Sequence, residues 1–301
     1  HPFSPQEATL QVTANLFDIA SLQEQYNTVK ARGLQSIGTV GKLYHNAKGE
    51  IKFTIDGDLK QITKFPHRKD DDKTGAVVIY EAPYRNEKQQ VPINMYVLCH
   101  DPYGQNQSAD STSLGAAYVV KRPNNLSQPD DIIVASYVGR PQTQDDYNRN
   151  LFLLADYYGC KIGFENDRGE VIAYAKRYRK LHKLQEEFEM LDKRELRSKT
   201  VKRQYGMHMT EARKRQGEIY IRDWLNTVRR TDENGNKLLN LHKIYDLAFL
   251  TELMKFNHHG NFDRVMAFMI AMYHTRELYN VEVKDVLEDR ATDKWFDKNY
   301  Y

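Results

Sequence analysis

An α/β fold built on a mixed sheet flanked by helices is what this 301-residue sequence predicts. Three observations carry that expectation. Apolar runs of strand length at 91–100, 114–121 and 132–137 follow one another with turn-forming residues between them. A helical pattern then sets Tyr147, Leu151, Leu154 and Tyr158 on one face, with Gly159 as its stop. A short apolar strand follows at once over 161–165, and mainly helical sequence makes up the rest.

In chain order, Ser4 caps, Pro5 takes the first helical position, and Gln6 and Glu7 fill the first turn. Residues 35–65 are β-rich, with a hairpin signal at 46–49 and a turn at Asp56, Gly57 and Asp58. Residues 68–75 are polar and read as a loop, and 76–83 as a strand. The buried strand at 91–100 leads into a loop over 102–113 that contains Gly and Ser, and 122–129 joins the next two strands. Helices are expected near 144–158, 170–195, 210–229, 241–256 and 261–279, with a break at 231–236. Strand, hairpin strands, helix, strand, helix is the order of an RNase H-like sheet. The expected organisation is a β-containing linker subdomain over 1–90, the RNase H-like domain over 91–282 and a charged tail over 283–301.

Net charge is +3, yet 17 Lys and Arg against 8 Asp and Glu fall between Tyr174 and Arg230, leaving the remainder net negative. That asymmetry suits a face meeting a polyanion; a solvated helical face is the plainer alternative. Cys99 and Cys160 are the only cysteines and form no CxxC, so neither a zinc ribbon nor a disulfide framework is indicated. They read as reduced, buried thiols of a cytosolic protein. The fully apolar stretch 265–273 is too short to span a bilayer, and no signal segment opens the chain. A first residue of His1 reads as a fragment or a processed product.

Three acids stand at the ends of apolar elements. Asp101 closes the strand at 91–100, Glu165 closes that at 161–165, and Asp263 opens an apolar helix. Carboxylates at a buried rim are costly unless they hold a cation, and converging oxygens suit Mg²⁺ or Mn²⁺. Two ions about 3.5–4 Å apart would activate a water and stabilise the leaving oxygen of a phosphodiester. Each acid also has an ordinary reading: a turn-forming Asp before Pro102, a Glu opening a loop, an acid favoured by a helix dipole. Asp167 is the substitute ligand if the register at Glu165 is off. Lys202, Arg203, Arg213, Lys214 and Arg215 surround a Gly-Met-His-Met-Thr loop beside Tyr205. Such a patch would engage phosphates without reading bases. His208 reads as a surface residue, and His258 and His259 lack zinc-type spacing.

Read as a set, Tyr96-Val-Leu-Cys-His-Asp-Pro-Tyr-Gly104, Gly163-Phe-Glu-Asn-Asp-Arg-Gly169 and Phe262-Asp-Arg-Val-Met-Ala267 resemble the nuclease domain of phage large terminase subunits, the DNA-packaging motors. Residues 1–8 resemble the family's segment leaving its ATPase domain, and 205–214 its Gly-Thr-basic stretch before a helix. The resemblance implies metal-dependent cutting of concatemeric double-stranded viral DNA in the host cytoplasm, with no membrane partner. It makes Asp101, Glu165 and Asp263 ligands of two Mg²⁺ or Mn²⁺ ions. It also implies an ATPase domain preceding this region, a small terminase subunit and the procapsid portal as partners. Many relatives carry adjacent acids in the third motif, whereas Phe262 stands here before Asp263; the resemblance then implies a second metal site that is either weaker or completed by another residue such as Asp110 or Asp167. No GxxxxGK[ST] loop occurs, so ATP hydrolysis is not assigned to this chain. Other readings are a different RNase H-like nuclease (a junction resolvase or transposase core) and a non-catalytic DNA-binding or portal-docking module.

Overall fold

The computed structural model describes residues 15–33, 38–68, 70–104, 113–166, 170–188, 205–257 and 260–279. The expectations placed on residues 1–8, Asp110, Asp167, Lys202, Arg203, His258, His259 and the tail lie outside the described residues. Seven strands form one mixed sheet: β1 (Thr39–His45), β2 (Ile51–Ile55), β3 (Ala76–Ile79), β4 (Tyr96–Asp101), β5 (Gly115–Lys121), β6 (Ile132–Gly139) and β7 (Ile162–Phe164). Their order across the sheet is β2-β1-β3-β6-β5-β4-β7. Strands β4, β5 and β6 form an antiparallel meander, and β7 returns parallel to β4 after a helical crossover. A meander whose first strand then gains a parallel neighbour is the RNase H-like topology, and the predicted fold class holds. The remaining strands add on antiparallel beyond β6. The boundary expected near residue 90 therefore falls inside one sheet, to which residues 39–79 supply three strands.

All residues of β4, β5 and β6 are buried, as expected of a sheet covered on both faces. Strand alternation divides them between two cores. Val97, Cys99, Ala116, Tyr118 and Val120 pack beneath α1 (Ile19–Arg32), α4 (Glu211–Leu225), α5 (Leu247–Lys255) and α6 (263–279). Leu98, Ala117, Val119, Ile162 and Phe164 pack beneath α2 (Gln144–Tyr157) and α3 (Glu170–Arg177). Tyr147, Leu151, Leu154 and Tyr158 are all buried, and Gly159 ends the helix at a φ of 61°.

Side-chain caps set several helix starts. Asp18, Thr143, Thr210 and Asp246 each accept a backbone N–H of the first turn of α1, α2, α4 and α5. These caps also explain where the expected boundaries moved. The helix expected from 241 starts only at Leu247, because Asp246 caps it and Asn240–Lys243 forms a 3₁₀ turn. The helix expected to 195 stops at Arg177, where Arg179 takes a φ of 55°. The helix expected to 229 ends at Leu225, and Val228–Thr231 pairs with Lys237–Leu239 as the hairpin β8–β9 around the anticipated loop. Strand β4 begins at Tyr96 rather than 91, since Pro92 lacks an N–H and Asn94 has a φ of 57°. Helix α1 has no counterpart in the expected elements; only Leu22, Gln25 and Val29 of it are buried.

Candidate metal centre

The three acids stand at one end of the sheet, and the pleat explains the placement of Asp101 and Glu165. Alternation along β4 puts Asp101 on the face of Val97 and Cys99, beneath α6. Its antiparallel partner is Ala116. In the parallel ladder His100 pairs with Phe164, and the Glu165 N–H donates to the His100 carbonyl at 3.3 Å, which sets Glu165 beside Asp101. Gly163 faces Cys99 and His274: an added Cβ would meet them at 3.1 and 3.2 Å. Glu165, two residues on, projects from the same face. Asp263 opens α6 over this face and is bound to the start of β5. Its Oδ1 accepts from Ser113 Oγ at 3.1 Å, and its Oδ2 from Leu114 N at 2.8 Å and Asn261 Nδ2 at 3.2 Å.

The site is largely dry. Asp101 and Asp263 are 8% and 6% exposed, while Glu165 is half-buried. Burial pushes the Asp263 carboxyl up to about 6, against the pull of its three hydrogen bonds and Arg264. Burial holds the Tyr147 phenol well above its usual range, and the fields of Tyr137, Tyr103, Asp101 and Asp263 add to it. Tyr147 lies over Gly115, where an added Cβ would fall 2.5 Å from the ring. Its hydroxyl lies 3.3 Å from His100 Nδ1, and burial lowers His100 to about 4, so that imidazole is neutral.

Oxygen-only donors from three elements suit a hard divalent cation. The described carboxylates line the sheet end without closing on a point. Among the described residues no group of three or more His, Cys, Asp or Glu could hold a metal ion. Asp110 and Asp167, the expected additional acids, lie outside the described residues.

A buried charge cluster behind Asp263 escaped the sequence reading. Glu252 Oε2 accepts the N–H groups of Arg264 and Val265 at 2.9 and 3.3 Å, so α5 supplies the cap of α6. Glu252 Oε1 pairs with Arg264 Nη1 at 2.8 Å, Arg264 Nη2 donates to the Ile62 carbonyl at 2.8 Å, and Arg264 Nε lies 3.5 Å from Asp246. Tyr118 OH donates to the same Asp246 at 2.8 Å. Burial raises Glu252 to about 7 against the opposing field of Arg264. The available signal was a Glu set inside the apolar run 247–254 and an Arg at the start of an apolar helix. Phe262, which precedes Asp263, packs its ring against Phe65 and Phe256.

The Gly-Met-His-Met-Thr segment lies directly against Glu165. Met207 forms a parallel bridge with Glu165, donating its N–H to the Phe164 carbonyl at 2.9 Å and accepting from Asn166 N at 2.7 Å. Gly206 has a φ of 72°, and a Cβ there would sit 2.8 Å from the Phe164 carbonyl oxygen. Helix α4 follows, which brings the described part of the basic stretch near the carboxylates. Its members differ in role. Arg215 is exposed, and Lys214 pairs with Glu211 at 3.2 Å. Arg213 is buried and donates to the His208 carbonyl at 2.7 Å, so this member of the expected patch is a packing residue.

Arg140 also went unnoticed in the sequence. It donates to the carbonyls of Ser113 at 3.0 Å and Gly104 at 3.3 Å and lies over the Tyr103 ring. Cys99 and Cys160 are buried with thiols pushed up by burial, which fits packing rather than nucleophilic chemistry. No helix of the described residues is long and apolar enough to cross a membrane.

Neither a family model nor a curated protein matches the sequence. Three solved structures with a similar fold are crystal structures of the large terminase nuclease from thermophilic phage G20c. The form with bound zinc has 13% identity and a TM-score of 0.40, covering 66% of this chain and 88% of that one. The form with bound magnesium has 12% identity and a TM-score of 0.41, covering 67% and 89%. A third has 15% identity and a TM-score of 0.32, covering 66% and 89%. The fold assignment rests on the strand order and not on this likeness.

Proposed function

We propose that this chain is a metal-dependent endonuclease domain that cuts double-stranded DNA, of the kind found in phage terminase large subunits. The observation that carries the reading is the placement of Asp101, Glu165 and Asp263 at one end of an RNase H-ordered sheet. Asp263 is buried without a fully compensating cation, which a divalent ion would relieve. When bound, Mg²⁺ or Mn²⁺ would acidify a coordinated water and neutralise charge developing on the phosphate. The chain's own groups then have distinct tasks. Asp101 and Glu165 hold the cation from adjacent strands, and Asp263 offers the remaining lone pair of Oδ1. Ser113, Leu114 and Asn261 fix the orientation of Asp263, and Glu252 with Arg264 fixes the helix that carries it. Lys214, Arg215, Lys202 and Arg203 supply phosphate contacts that position the duplex without reading its sequence.

One observation favours a second reading, a non-catalytic DNA-binding or portal-docking module. Asp263 already accepts three hydrogen bonds, and the described acids do not by themselves enclose an ion. Cleavage of supercoiled plasmid with Mn²⁺, Mg²⁺ or EDTA separates the two. The nuclease reading expects nicking and linearisation that EDTA abolishes and that Asp101→Asn and Asp263→Asn both lose. DNA binding without cleavage, unaltered by Mn²⁺ and by either substitution, would establish the binding module instead.

A further inference from the structure

The duplex contacts assigned to Lys202, Arg203, Lys214 and Arg215 leave the first part of the basic region without a role. There Lys176, Arg177, Arg179, Lys180 and Lys183 follow one another within eight residues. Helix α3 buries Val171, Tyr174 and Ala175, which turns Lys176 and Arg177 outward. Arg179 reverses the chain at its φ of 55°, and Leu181–Lys183 forms a 3₁₀ turn. Lys176, Arg177 and Arg179 are exposed, as is Lys161 just before β7. Contacts with α2 show how far the cations spread. Arg177 pairs with Asp145, whereas Lys180 and Lys183 both reach Asp156, at 3.1 and 2.6 Å. Those acids stand eleven positions apart on α2, about 16 Å along its axis. That length is the axial rise of about five nucleotides of one DNA strand.

The acids at this surface are outnumbered. Asp145 and Asp156 meet three of the cations, and among the described residues Lys161, Lys176 and Arg179 have no ion pair. Glu186 and Glu187 come only after the row has ended. At the end of the row lies a cavity of about 220 Å³, lined by Lys161 and Lys183 together with Asn94, His182 and Gln185 and by no carboxylate. Lys183 reaches Asp156 with one of its three ammonium donors, so others remain for an anion in this cavity.

We propose that this row binds the phosphate backbone of a DNA duplex, with one phosphate seated in the cavity between Lys161 and Lys183. A polyanion is favoured over a small anion because the cations are strung along α2 rather than gathered at one point. A single strand would call for several open aromatic faces on which bases could stack. Tyr178 is the exposed tyrosine of the stretch, and its ring already lies against Tyr174 at 4.4 Å. A membrane surface would call for apolar side chains between the cations, yet Leu181 packs against the core. The row lies on the helix layer opposite α4, so it is a different surface from the one that carries Lys214 and Arg215. It does not depend on the nuclease reading.

The test is fluorescence anisotropy of a short labelled duplex, titrated with the full chain in EDTA at several salt concentrations, so that cleavage plays no part. The wild type is compared with a variant carrying Lys161→Ala, Lys176→Ala and Arg179→Ala. The variant should bind at least about tenfold more weakly, and its slope of log affinity against log salt should shrink by about two to three, since each phosphate contact contributes about 0.9. A second variant with Lys161→Arg, Lys176→Arg and Arg179→Lys keeps the charges and should bind like the wild type. Wild-type affinity and slope in the alanine variant would overturn the proposal. So would weaker binding with an unchanged slope, or equal weakening in the charge-keeping variant, because the loss would then not come from phosphate contacts. Cosedimentation with phosphatidylserine vesicles covers the membrane. Vesicle binding lost in the alanine variant while duplex binding stays intact would also overturn it.

Discussion

Substituting Asp263 by Asn should make the protein more stable at alkaline pH and less stable at acidic pH. The sign follows from linkage. The carboxyl is raised from 3.8 to about 6 in the folded chain, chiefly by burial. Stability attached to it is therefore complete below pH 3.8 and lost as pH rises through 6. A rise of that size corresponds to about 3 kcal/mol. Against this stands the altered hydrogen bonding. An amide oxygen at the Oδ2 position can still accept from Leu114 N and Asn261 Nδ2, and the Ser113 hydroxyl can turn to accept one N–H of the new amide, but its second N–H gains no acceptor from these three groups. One buried, unpaired N–H costs about 1 kcal/mol. Near pH 8 relief of the buried charge wins, and Asp263→Asn should gain about 1–2 kcal/mol; near pH 4 it should lose about 1 kcal/mol. Paired denaturant titrations of both chains at the two pH values measure the difference, in which titrations common to both chains cancel. Adding Mn²⁺ at the higher pH should stabilise the wild-type chain alone, by mass action. A stability difference independent of pH would refute the claim that Asp263 is an electrostatically frustrated carboxylate, and with it the driving force for holding a cation.

Other substitutions address the frame around the site. Glu252→Ala removes the cap of α6 and strands the buried Arg264, so it should lower stability by about 3–5 kcal/mol in denaturant unfolding. A change under about 1 kcal/mol would show that Asp246 and Ile62 suffice to hold Arg264. Gly115→Ala drives a methyl into the Tyr147 ring and should cost about 1–3 kcal/mol, measured in the same assay. Changing Lys202, Arg203, Lys214 and Arg215 together to Ala should weaken duplex binding and flatten its dependence on salt concentration, whereas Arg213→Ala should act on thermal stability instead.

The carboxylate end was legible in the sequence because each acid sits at the boundary of an apolar run, and a parallel ladder brings strand ends together whatever the distance along the chain. Strand β7 is only three residues long, yet its place beside β4 followed from the helix before it. Less of the supporting frame could be read. Glu252 and Arg264 are twelve positions apart on different helices, and their pairing depends on how α5 and α6 pack, which no local pattern encodes. Arg213 looked like its neighbours Lys214 and Arg215 because composition does not say which side of α4 faces the core. Helix boundaries failed where one Asp, Asp246, took a capping role in place of an interior one, and where Arg179 adopted a positive φ.

Arg140 bears on how this site could change over evolution. By gripping the carbonyls of Gly104 and Ser113, it fastens together the two residues that flank 105–112. Asp101 lies three positions before one anchor, and Asp263 is bonded to the other. Asp101 and Asp263 are thus tied to the two ends of the staple itself. Because the entropy of closing a loop grows only slowly with its length, residues could be added to or removed from that interval at small energetic cost. Such changes would leave the placement of Asp101 and Asp263 at the sheet end intact.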